Sequence, residues 1–323
     1  MIRTSAVGLL LLGTASLIRA GEAAFSDDAK TVYMIQAENG LNTIDLSSEK
    51  VSPIAPEGVG KINAIARAPG GNFLLVSANA LWTWKPGAGP AISLEKAPEG
   101  ASFGDVACSD DGRQIAVFGT LQRDHETEPR IFYRPEPGMK FLSIRPRHLT
   151  ESRLCAPAFL TDGTLLFSAD GDLWHGILEH EADEDGAGNP ILRGTLTAYR
   201  YAPIAERYAY PGTPAQQGVQ DIAYGAGRIF VHISRMGGSG WGHLSPLAAP
   251  APQPTGTFET HNTVEDAIQV MKSVHSLLDT NGSQTSLCSS PDRTSVHMQS
   301  PKGTHFLAKE GIEDGGPMPI RSK

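Results

Sequence analysis

The segment FLTDGTLLFSADGDLW (159–174) carries the clearest signature of the fold. Two Asp-Gly steps flank a mostly apolar run, TLLF (164–167), and a strand with a tryptophan follows the second step. Asp-Gly favours a tight chain reversal, because Gly tolerates positive φ and Asp caps the turn. A run that is apolar at successive positions suits a strand buried on both faces. The segment therefore predicts short antiparallel strands between stacked sheets.

The same pattern recurs at intervals of about 40 to 65 residues. A unit of about four strands cannot bury its faces alone, so the copies must stack, and radial stacking of such units is a β-propeller. We predict an all-β fold, a β-propeller of about six four-stranded blades, with five and seven blades as open alternatives. The ring is expected to close by placing N- and C-terminal strands in one blade. The predicted blades are 24–57, 60–98, 101–148, 150–205, 217–255 and 283–310.

Residues 256–282 do not follow the repeat. The string TVED (263–266) is typical of a capped helix start, and apolar residues then recur at helical spacing, at Ala267, Met271, Val274 and Leu278. We therefore predict one domain, 24–310, with a short inserted helix near 263–279. Residues 311–323 are expected to form a flexible tail.

The segment 159–174 resembles the TolB-type, WD-like propeller repeats, whose core consists of a hydrophobic residue, Ser-x-Asp-Gly, a hydrophobic strand and Asp-Leu-Trp. SDDGRQIAVF (109–118) and SSPDRTSVHM (289–298) match this pattern in part. The resemblance covers about residues 25–310 and implies the propeller fold. By analogy it also implies a structural or assembly role in the cell envelope, but it implies no activity, because many functions share these repeats.

The N-terminus predicts a signal peptide over residues 1–23. Arg3 supplies positive charge, and residues 6–18 form an uncharged, mostly apolar stretch of 13 residues. This length lies within the roughly 7–15 of a signal peptide and below the roughly 20 that span a bilayer. Ala20 and Ala23 are alternative cleavage positions, and no cysteine lies near them for a lipid anchor. We therefore expect a secreted or periplasmic protein that does not span a membrane.

The charge balance argues against a nucleic-acid partner. The chain has 27 Lys and Arg against 35 Asp and Glu, a net charge of −8, and its basic residues are scattered. Such a chain repels phosphate backbones. Three cysteines, Cys108, Cys155 and Cys288, lack CxxC spacing. Cys108 and Cys288 are assigned to one repeat position, which also holds Phe159, so we predict buried strand sites and leave the disulfide state open.

One acidic string, EHEADEDGAGNP (179–190), is a candidate calcium loop. Calcium binds six to eight oxygens, and alternating side chains on a tight loop can supply them. The loop resembles those of integrin-type propellers and, less closely, an EF-hand, with calcium as the candidate cofactor. The alternative is a solvated acidic hairpin tip. The candidate ligands are Glu181, Asp183, Asp185 and Asn189.

A second metal hypothesis, transition-metal binding, combines His175 and His180 with neighbouring glutamates. Their five-residue spacing places them on neither one helix face nor one strand face, so ordinary surface or partly buried histidines are favoured.

The glycine-dense segment MGGSGWGH (236–243) is predicted to be a loop that presents Trp241 and His243 as candidate binding residues. With the predicted loops 121–130 and 179–195, it decorates a rigid scaffold, where recognition usually occurs. We therefore predict a binding scaffold for a protein or glycan partner. The alternative is a propeller enzyme, such as a lactonase, a glycan hydrolase or lyase, or a quinoprotein-like dehydrogenase, with its site at the central channel. No catalytic residue is assigned, and the oligomeric state stays open.

Overall fold

The computed structural model describes residues 23–35, 40–48, 50–150, 152–184, 190–202, 204, 218–235, 238–244, 274–277, 286–300, 303–309 and 318–319. These residues form six four-stranded antiparallel sheets, here named A to F in chain order. In every sheet, strands that are neighbours in the chain are also neighbours in the sheet. The predicted all-β fold of four-stranded units is therefore confirmed.

The first three sheets occupy the N-terminal half of the described chain. Sheet A contains β1 (Ala23–Phe25), β2 (Thr31–Ile35), β3 (Leu41–Asp45) and β4 (Val51–Ile54). Sheet B contains β5 (Ala64–Ala68), β6 (Asn72–Ser77), β7 (Ala80–Trp84) and β8 (Ile92–Lys96). Sheet C contains β9 (Ala101–Cys108), β10 (Ile115–Arg123), β11 (Glu126–Arg134) and β12 (Leu142–Ile144).

The other three sheets continue the same order. Sheet D contains β13 (Leu154–Phe159), β14 (Leu165–Ala169), β15 (Asp172–Glu184) and β16 (Pro190–Ala202). Sheet E contains β17 (Gly218–Gly225), β18 (Arg228–Arg235), β19 (Gly238–Leu244) and β20 (Val274–Leu277). Sheet F contains β21 (Ser286–Ser289), β22 (Ser295–Ser300), β23 (Gly303–Lys309) and β24 (Met318–Pro319).

The first strands of the sheets form a closed ring. Each first strand contacts the first strand of the next sheet, in the order β1, β5, β9, β13, β17 and β21, and β21 contacts β1. The sheets thus surround a central channel, the arrangement of a β-propeller. Because every sheet consists of consecutive strands, the predicted sharing of one sheet by the two termini is wrong. Sheets F and A close the ring through side chains instead, including Phe25 and His297, whose ring centroids lie 4.9 Å apart.

Most of the core lies between neighbouring sheets. The second strands β6, β10 and β14 are buried over four or more successive residues, as their apolar runs predict. Between sheets C and D, for example, Phe118 meets Phe167 edge to face, with ring centroids 5.7 Å apart. A strand of this kind has no solvated face because a sheet packs on each side of it.

Three turns between first and second strands share one hydrogen-bond pattern. A serine Oγ donates to the Oδ1 of the aspartate two residues later at 2.6 Å, and that aspartate also accepts a backbone N–H. The serine hydroxyl is the main reason why the pKa of each of these aspartates lies below its usual value. The Ser-x-Asp element therefore has a physical role in reversing the chain. The three pairs are Ser26 and Asp28, Ser109 and Asp111, and Ser290 and Asp292.

The ring has two distinct faces. We call the face at which the first strands begin the upper face and the face at which they end the lower face. Because successive strands alternate in direction, hairpins between second and third strands lie at the upper face, and hairpins between third and fourth strands lie at the lower face.

Several predictions about segments differ from the structure. The predicted helix near 263–279 falls mostly outside the described residues, but Val274–Leu277 form β20, which pairs with β19 and completes sheet E. Met318 and Pro319 of the predicted tail form β24, which pairs with β23. The described parts of the predicted loops 121–130 and 179–195 belong mainly to long hairpins, β10–β11 and β15–β16.

The assignment of Cys108 and Cys288 to one repeat position is also wrong. Ser109 and Ser290 are equivalent, since the backbone N of each donates to the carbonyl oxygen five residues later, at 3.0 and 2.9 Å. Cys108 directly precedes Ser109, whereas Cys288 stands two residues before Ser290. A shift of one residue moves a side chain to the other face of a strand. All three cysteines, including Cys155, are free thiols.

Candidate functional site

The candidate calcium ligands lie at the end of the β15–β16 hairpin, on the lower face. Glu181 is exposed and Asp183 is partly buried, and both belong to β15, while Asp185 and Asn189 lie outside the described residues. Asp183 Oδ2 lies 2.7 Å from Arg193 Nη2 on the neighbouring strand. Within the residues that the structure describes, no group of three or more His, Cys, Asp or Glu side chains could hold a metal ion.

The candidate binding residues Trp241 and His243 belong to β19 and not to a loop. In the sheet register Trp241 pairs with His232 and His243 with Phe230, both on β18. The β18–β19 hairpin joins a second to a third strand and therefore projects at the upper face. The structure thus places these two residues and the acidic hairpin of sheet D on different sheets and different faces.

His175 has a structural environment. Its Nδ1 lies 2.5 Å from the Tyr199 hydroxyl and its Nε2 lies 2.7 Å from Thr164 Oγ1, which in turn donates to Asp162 at 2.6 Å. Burial lowers the pKa of His175, which favours the neutral ring. With both ring nitrogens engaged in the interior, His175 does not form a metal site with the exposed His180.

Four charged side chains meet at the lower end of the channel. Asp110 bridges two arginines: its Oδ2 lies 2.7 Å from Arg293 Nε and its Oδ1 lies 3.6 Å from Arg67 Nη2. Arg67 also lies 3.4 Å from Asp27. We call these four residues the lower charge network, and the charges within it balance.

Backbone carbonyls extend the network around the ring. Arg293 Nη2 donates to the Phe159 carbonyl at 2.7 Å and Arg293 Nη1 to the Tyr224 carbonyl at 3.4 Å, while Arg67 Nη2 donates to the Pro291 carbonyl at 3.2 Å. With Asp27 and Asp110, these contacts join all six sheets. The lower charge network therefore acts as a clamp across the channel and is not a set of free reactive groups.

Arg293 occupies a backbone position that usually requires glycine. Its φ is +56°, and the equivalent turn residues Gly112 and Gly163 have φ of +73° and +82°. A side chain in this region is strained, and such strain persists only where the surroundings hold the residue in place. The contacts of Arg293 to Asp110 and to two carbonyls supply that constraint.

At the upper end of the channel, polar side chains join neighbouring first strands. Asp105 Oδ2 accepts a hydrogen bond from the Ala156 backbone N at 3.2 Å. Asp221 Oδ2 accepts from the Leu287 backbone N at 2.7 Å and from Ser286 Oγ at 2.8 Å. Asp105 and Asp221 are nearly fully buried, so each carboxylate fixes the first strand of the following sheet.

A cleft of about 410 Å³, here called the first cleft, lies beside these residues between sheets C and D. It exists because β10 and β11 have nine residues each, whereas β14 of sheet D has five. Along one face of β10, Phe118 packs against sheet D, and Thr120, two residues later, lines the cleft above that sheet. The wall of the first cleft is thus a part of sheet C that extends past its neighbour.

Hydroxyl groups stand among apolar side chains in the lining of the first cleft. Ser102 pairs with Thr120 across β9 and β10, and Thr127 of β11 donates from Oγ1 to Gln122 Oε1 at 2.7 Å. Asp105 and Arg153 add one negative and one positive group to the lining. The first cleft therefore offers hydrogen-bond donors and acceptors with little net charge.

A second cleft, of about 340 Å³, lies next to the first, and Ser152 lines both. Arg200 Nη1 lies 3.3 Å from Asp172 Oδ2, and Asp170 Oδ1 accepts from the Arg153 backbone N at 2.9 Å. Trp174 contributes an aromatic side chain to the lining, together with His148. The two clefts lie on both sides of the chain that connects sheets C and D, and each of them contains polar side chains.

The cysteines do not supply a nucleophile near neutral pH. Burial raises the pKa of Cys108 and Cys155 to about 12 and also raises that of Cys288. The thiolate is the reactive form of cysteine, so all three thiols are unreactive at neutral pH.

Comparisons with known proteins support the fold. No protein-family model and no curated protein sequence matches the chain. The luciferin-regenerating enzyme has a similar structure with a TM-score of 0.54 at 9% identity, over 96% of this chain and 98% of that one. The regucalcin of Agrobacterium tumefaciens, a calcium-binding protein, gives 0.49 at 14% identity, over 92% and 85%. The propeller domain of Cps50 (Swd1) from Myceliophteria thermophila gives 0.47 at 10%, over 88% and 94%.

The closed ring of four-stranded sheets defines the class of protein as a β-propeller. Identities this low show the fold alone, so function has to be argued from the site. Within the described part of the chain, no helix is long and apolar enough to cross a membrane.

Proposed function

We propose that this protein is an exported β-propeller that acts as a binding scaffold for a protein or glycan partner, and that it holds a polar part of that partner at the upper face. The observation that carries this proposal is the first cleft, whose wall changes from apolar at Phe118 to hydroxyl at Thr120 where sheet D ends. If this part of β10 served only to pack against sheet D, we would expect an apolar residue at position 120 as well. Its volume of about 410 Å³ suits a ligand site.

The lower charge network favours binding at the upper face over a reaction at the lower end of the channel. Asp110 and Arg293 contact each other at 2.7 Å and are held by further partners. A general acid or base needs a group that can exchange a proton with a substrate, and paired carboxylates and arginines are poorly suited to this.

The β18–β19 hairpin is proposed to extend the binding surface. Trp241 and His243 stand on this hairpin, which projects at the same face as the first cleft. Aromatic residues are frequent in binding hot spots. A large partner could therefore contact sheet E while part of it occupies the first cleft.

The test is a binding screen of the purified mature chain against immobilised glycans and peptides. Thr120→Arg would place a long charged side chain in the first cleft, and we expect at least a tenfold loss of affinity for any ligand found. The matched control is Thr161→Arg, because Thr161 is exposed in a turn at the lower face. The proposal fails if neither class of ligand binds, or if Thr120→Arg binds as tightly as the control.

The export proposal makes its own prediction. Ala23 and Ala24 are 7% and 6% exposed and pair with Met34 and Tyr33 in sheet A. Cleavage after Ala23 would remove the first residue of β1, whereas cleavage after Ala20 would leave the strand whole. N-terminal sequencing of exported protein should therefore find a chain that still contains Ala23. A mature chain that begins at Ala24 would contradict this prediction.

A further inference from the structure

We infer that three arginines on the side of sheet C that faces sheet B bind a phosphate or sulfate group. They are Arg123 at the end of β10, Arg130 on β11 and Arg145, the residue that follows β12, and we call them the arginine cluster. The upper ends of these strands bring the cluster to the upper face. The inference concerns a separate site and does not depend on what the first cleft binds.

The arginine cluster and the first cleft lie on opposite sides of sheet C. Thr127 and Pro129 of β11 line the first cleft. Successive side chains of a strand point to opposite faces, so Glu128 and Arg130 point away from the cleft. Phe132, which follows at the same spacing, packs in the core between sheets B and C. Arg130 therefore stands next to this core, on the side that faces sheet B.

One carboxylate serves two of the three arginines. Arg130 Nη2 donates to Glu128 Oε2, and Glu128 Oε1 lies 2.8 Å from Arg145 Nη2. Glu126 stands opposite Arg123 in the sheet register, but within the described part of the chain the Arg123 guanidinium has no ion pair and no hydrogen bond. The arginine cluster thus has more donors than its shared carboxylate can engage.

Arg130 contributes a buried donor that lacks an acceptor. Its side chain is 5% exposed, and its Nη1 has no hydrogen-bond partner among the described residues. A guanidinium has five N–H donors and no acceptor, and a buried donor left unpaired is unfavourable. An oxyanion beside Nη1 would supply both the missing acceptor and a compensating charge.

The charges around Arg130 also favour an anion. Burial lowers the pKa of Arg130, Glu128 raises it, and the positive charges of Arg123 and Arg145 lower it. The two other arginines are therefore close enough to repel the Arg130 guanidinium. An anion bound among the three would reduce this repulsion.

The number of donors points to a tetrahedral oxyanion. A carboxylate has two oxygens, and one planar guanidinium can bind both of them. A phosphate or sulfate group has more oxygens and can be contacted by several guanidinium groups at once. The Arg145 side chain is 54% exposed and Arg123 is exposed, so both can turn toward an ion that arrives from solvent.

The experiment measures the binding of inorganic phosphate, inorganic sulfate, methyl phosphate and acetate to the purified mature chain by calorimetry. We expect phosphate and sulfate to bind with dissociation constants on the order of 1 mM. They should bind at least about tenfold more tightly than acetate, which offers fewer oxygens. Methyl phosphate that binds like phosphate would support a group carried by a larger molecule, and binding of the inorganic ions alone would support a free anion as the ligand.

Two variants should change the affinity in opposite directions. Arg145→Gln should weaken phosphate binding about tenfold, because it removes charged donors. Glu128→Gln should tighten it about threefold, because the carboxylate no longer repels the anion or occupies two arginines. Arg113→Gln is the matched control and should bind within about twofold of wild type. Arg113 is 59% exposed and pairs with Glu136 at 2.9 Å, much as Arg145 pairs with Glu128.

Three results would overturn the inference. The first is that neither phosphate nor sulfate binds to the wild-type chain. The second is an equal loss of affinity in Arg145→Gln and Arg113→Gln, which would show an effect of net charge alone. The third is acetate that binds as tightly as phosphate, which would overturn the tetrahedral class. None of these results bears on the first cleft, which Thr120→Arg tests.

Discussion

The two ends of the channel are built from the same six first strands and differ in chemistry. At the lower end, Asp27, Arg67, Asp110 and Arg293 reach across the opening and neutralise one another. At the upper end, Asp105 and Asp221 are turned inward to backbone groups of the next sheet, and the first cleft stays accessible.

The difference shows how one repeat can produce both a clamp and a binding surface. Three members of the lower charge network, Asp27, Asp110 and Arg293, stand in or beside the Ser-x-Asp turns, and Arg67 stands on β5. The first cleft comes from unequal strand lengths, because β10 and β11 extend past β14. The composition of the turns therefore accounts for most of the lower charge network, and the length of the strands accounts for the first cleft.

The largest effect is expected for Asp221→Ala at the upper end. Asp221 accepts hydrogen bonds from Leu287 N and Ser286 Oγ, and it is 3% exposed. Its removal leaves both donors of sheet F without this acceptor in a buried site. We expect a loss of about 4 kcal/mol in the free energy of unfolding, since bonds to charged groups contribute about 1.5–3 kcal/mol each. Denaturant unfolding at pH 7 measures it.

Asp221→Asn is the conservative control for this prediction. An amide oxygen can still accept from the Leu287 backbone N, so the loss should be less than half of that for Ala. Equal losses for the two variants would mean that packing, and not hydrogen bonding, accounts for the effect.

The next largest effect is a pH dependence of the free energy of unfolding, caused by His297 where sheet F packs against sheet A. Burial lowers the pKa of His297 to about 4, against 6.5 for an ordinary histidine. The unfolded chain binds a proton below pH 6.5 and the folded chain only below about 4, so stability is lost as the pH falls across this range. The loss should be on the order of 3 kcal/mol at most.

His297→Gln removes this titration and should flatten the stability curve between pH 6.5 and 4. A residual slope is expected, because the pKa of His175 is also lowered by burial. His180→Gln, at an exposed position on β15, is the matched control. A wild-type curve that is already flat across this range would contradict the prediction.

The lower charge network should contribute less than Asp221, although it has more members. Asp110→Ala leaves Arg67 and Arg293 without their shared carboxylate, but Asp110 is 39% exposed, so water screens the charges. We expect a loss of about 1–2 kcal/mol that shrinks at about 1 M salt. Binding at the upper face should not change.

Glu136→Ala is the comparison for Asp110→Ala. Glu136 and Arg113 form an exposed pair at 2.9 Å, and among the described residues this pair has no further ion-pair partner. We expect a loss below about 0.5 kcal/mol for this variant. Similar losses for Glu136→Ala and Asp110→Ala would show that the network has no effect beyond that of one surface pair.

The boundaries of sheets B to D could be predicted because their signals are local. Turns such as Asp162-Gly163 and apolar runs such as residues 73–76 stand at the expected places, and β5 to β7 fall within the predicted repeat 62–87. β1 has only three residues and begins at the last residue of the predicted signal peptide, so no separate pattern marked it. The wrong repeat position assigned to Cys288 has a similar cause, because a four-residue strand has little pattern to fix its register.

The candidate site could not be predicted because it depends on distances between sheets. Thr120 and Thr127 are typical loop residues in the sequence, and only the short strand β14 beside them makes their position a cleft. The lower charge network also depends on how different sheets are placed relative to one another. Asp27 and Arg293 lie near opposite ends of the chain, and only ring closure brings them to one opening.

The smallest expected effect concerns calcium at the lower-face hairpin of sheet D. Arg193 lies 2.7 Å from Asp183 and already neutralises one carboxylate of the predicted loop. A calcium ion would have to compete with this arginine, so we expect a chelator to lower the melting temperature by no more than about 2 °C, equivalent to less than about 1 kcal/mol. Arg193→Gln should increase the calcium-dependent shift, because it frees Asp183 for the ion. If metal analysis finds no calcium in either form and chelator changes neither melt, the loop is a solvated hairpin tip, and the lower face contributes only structure.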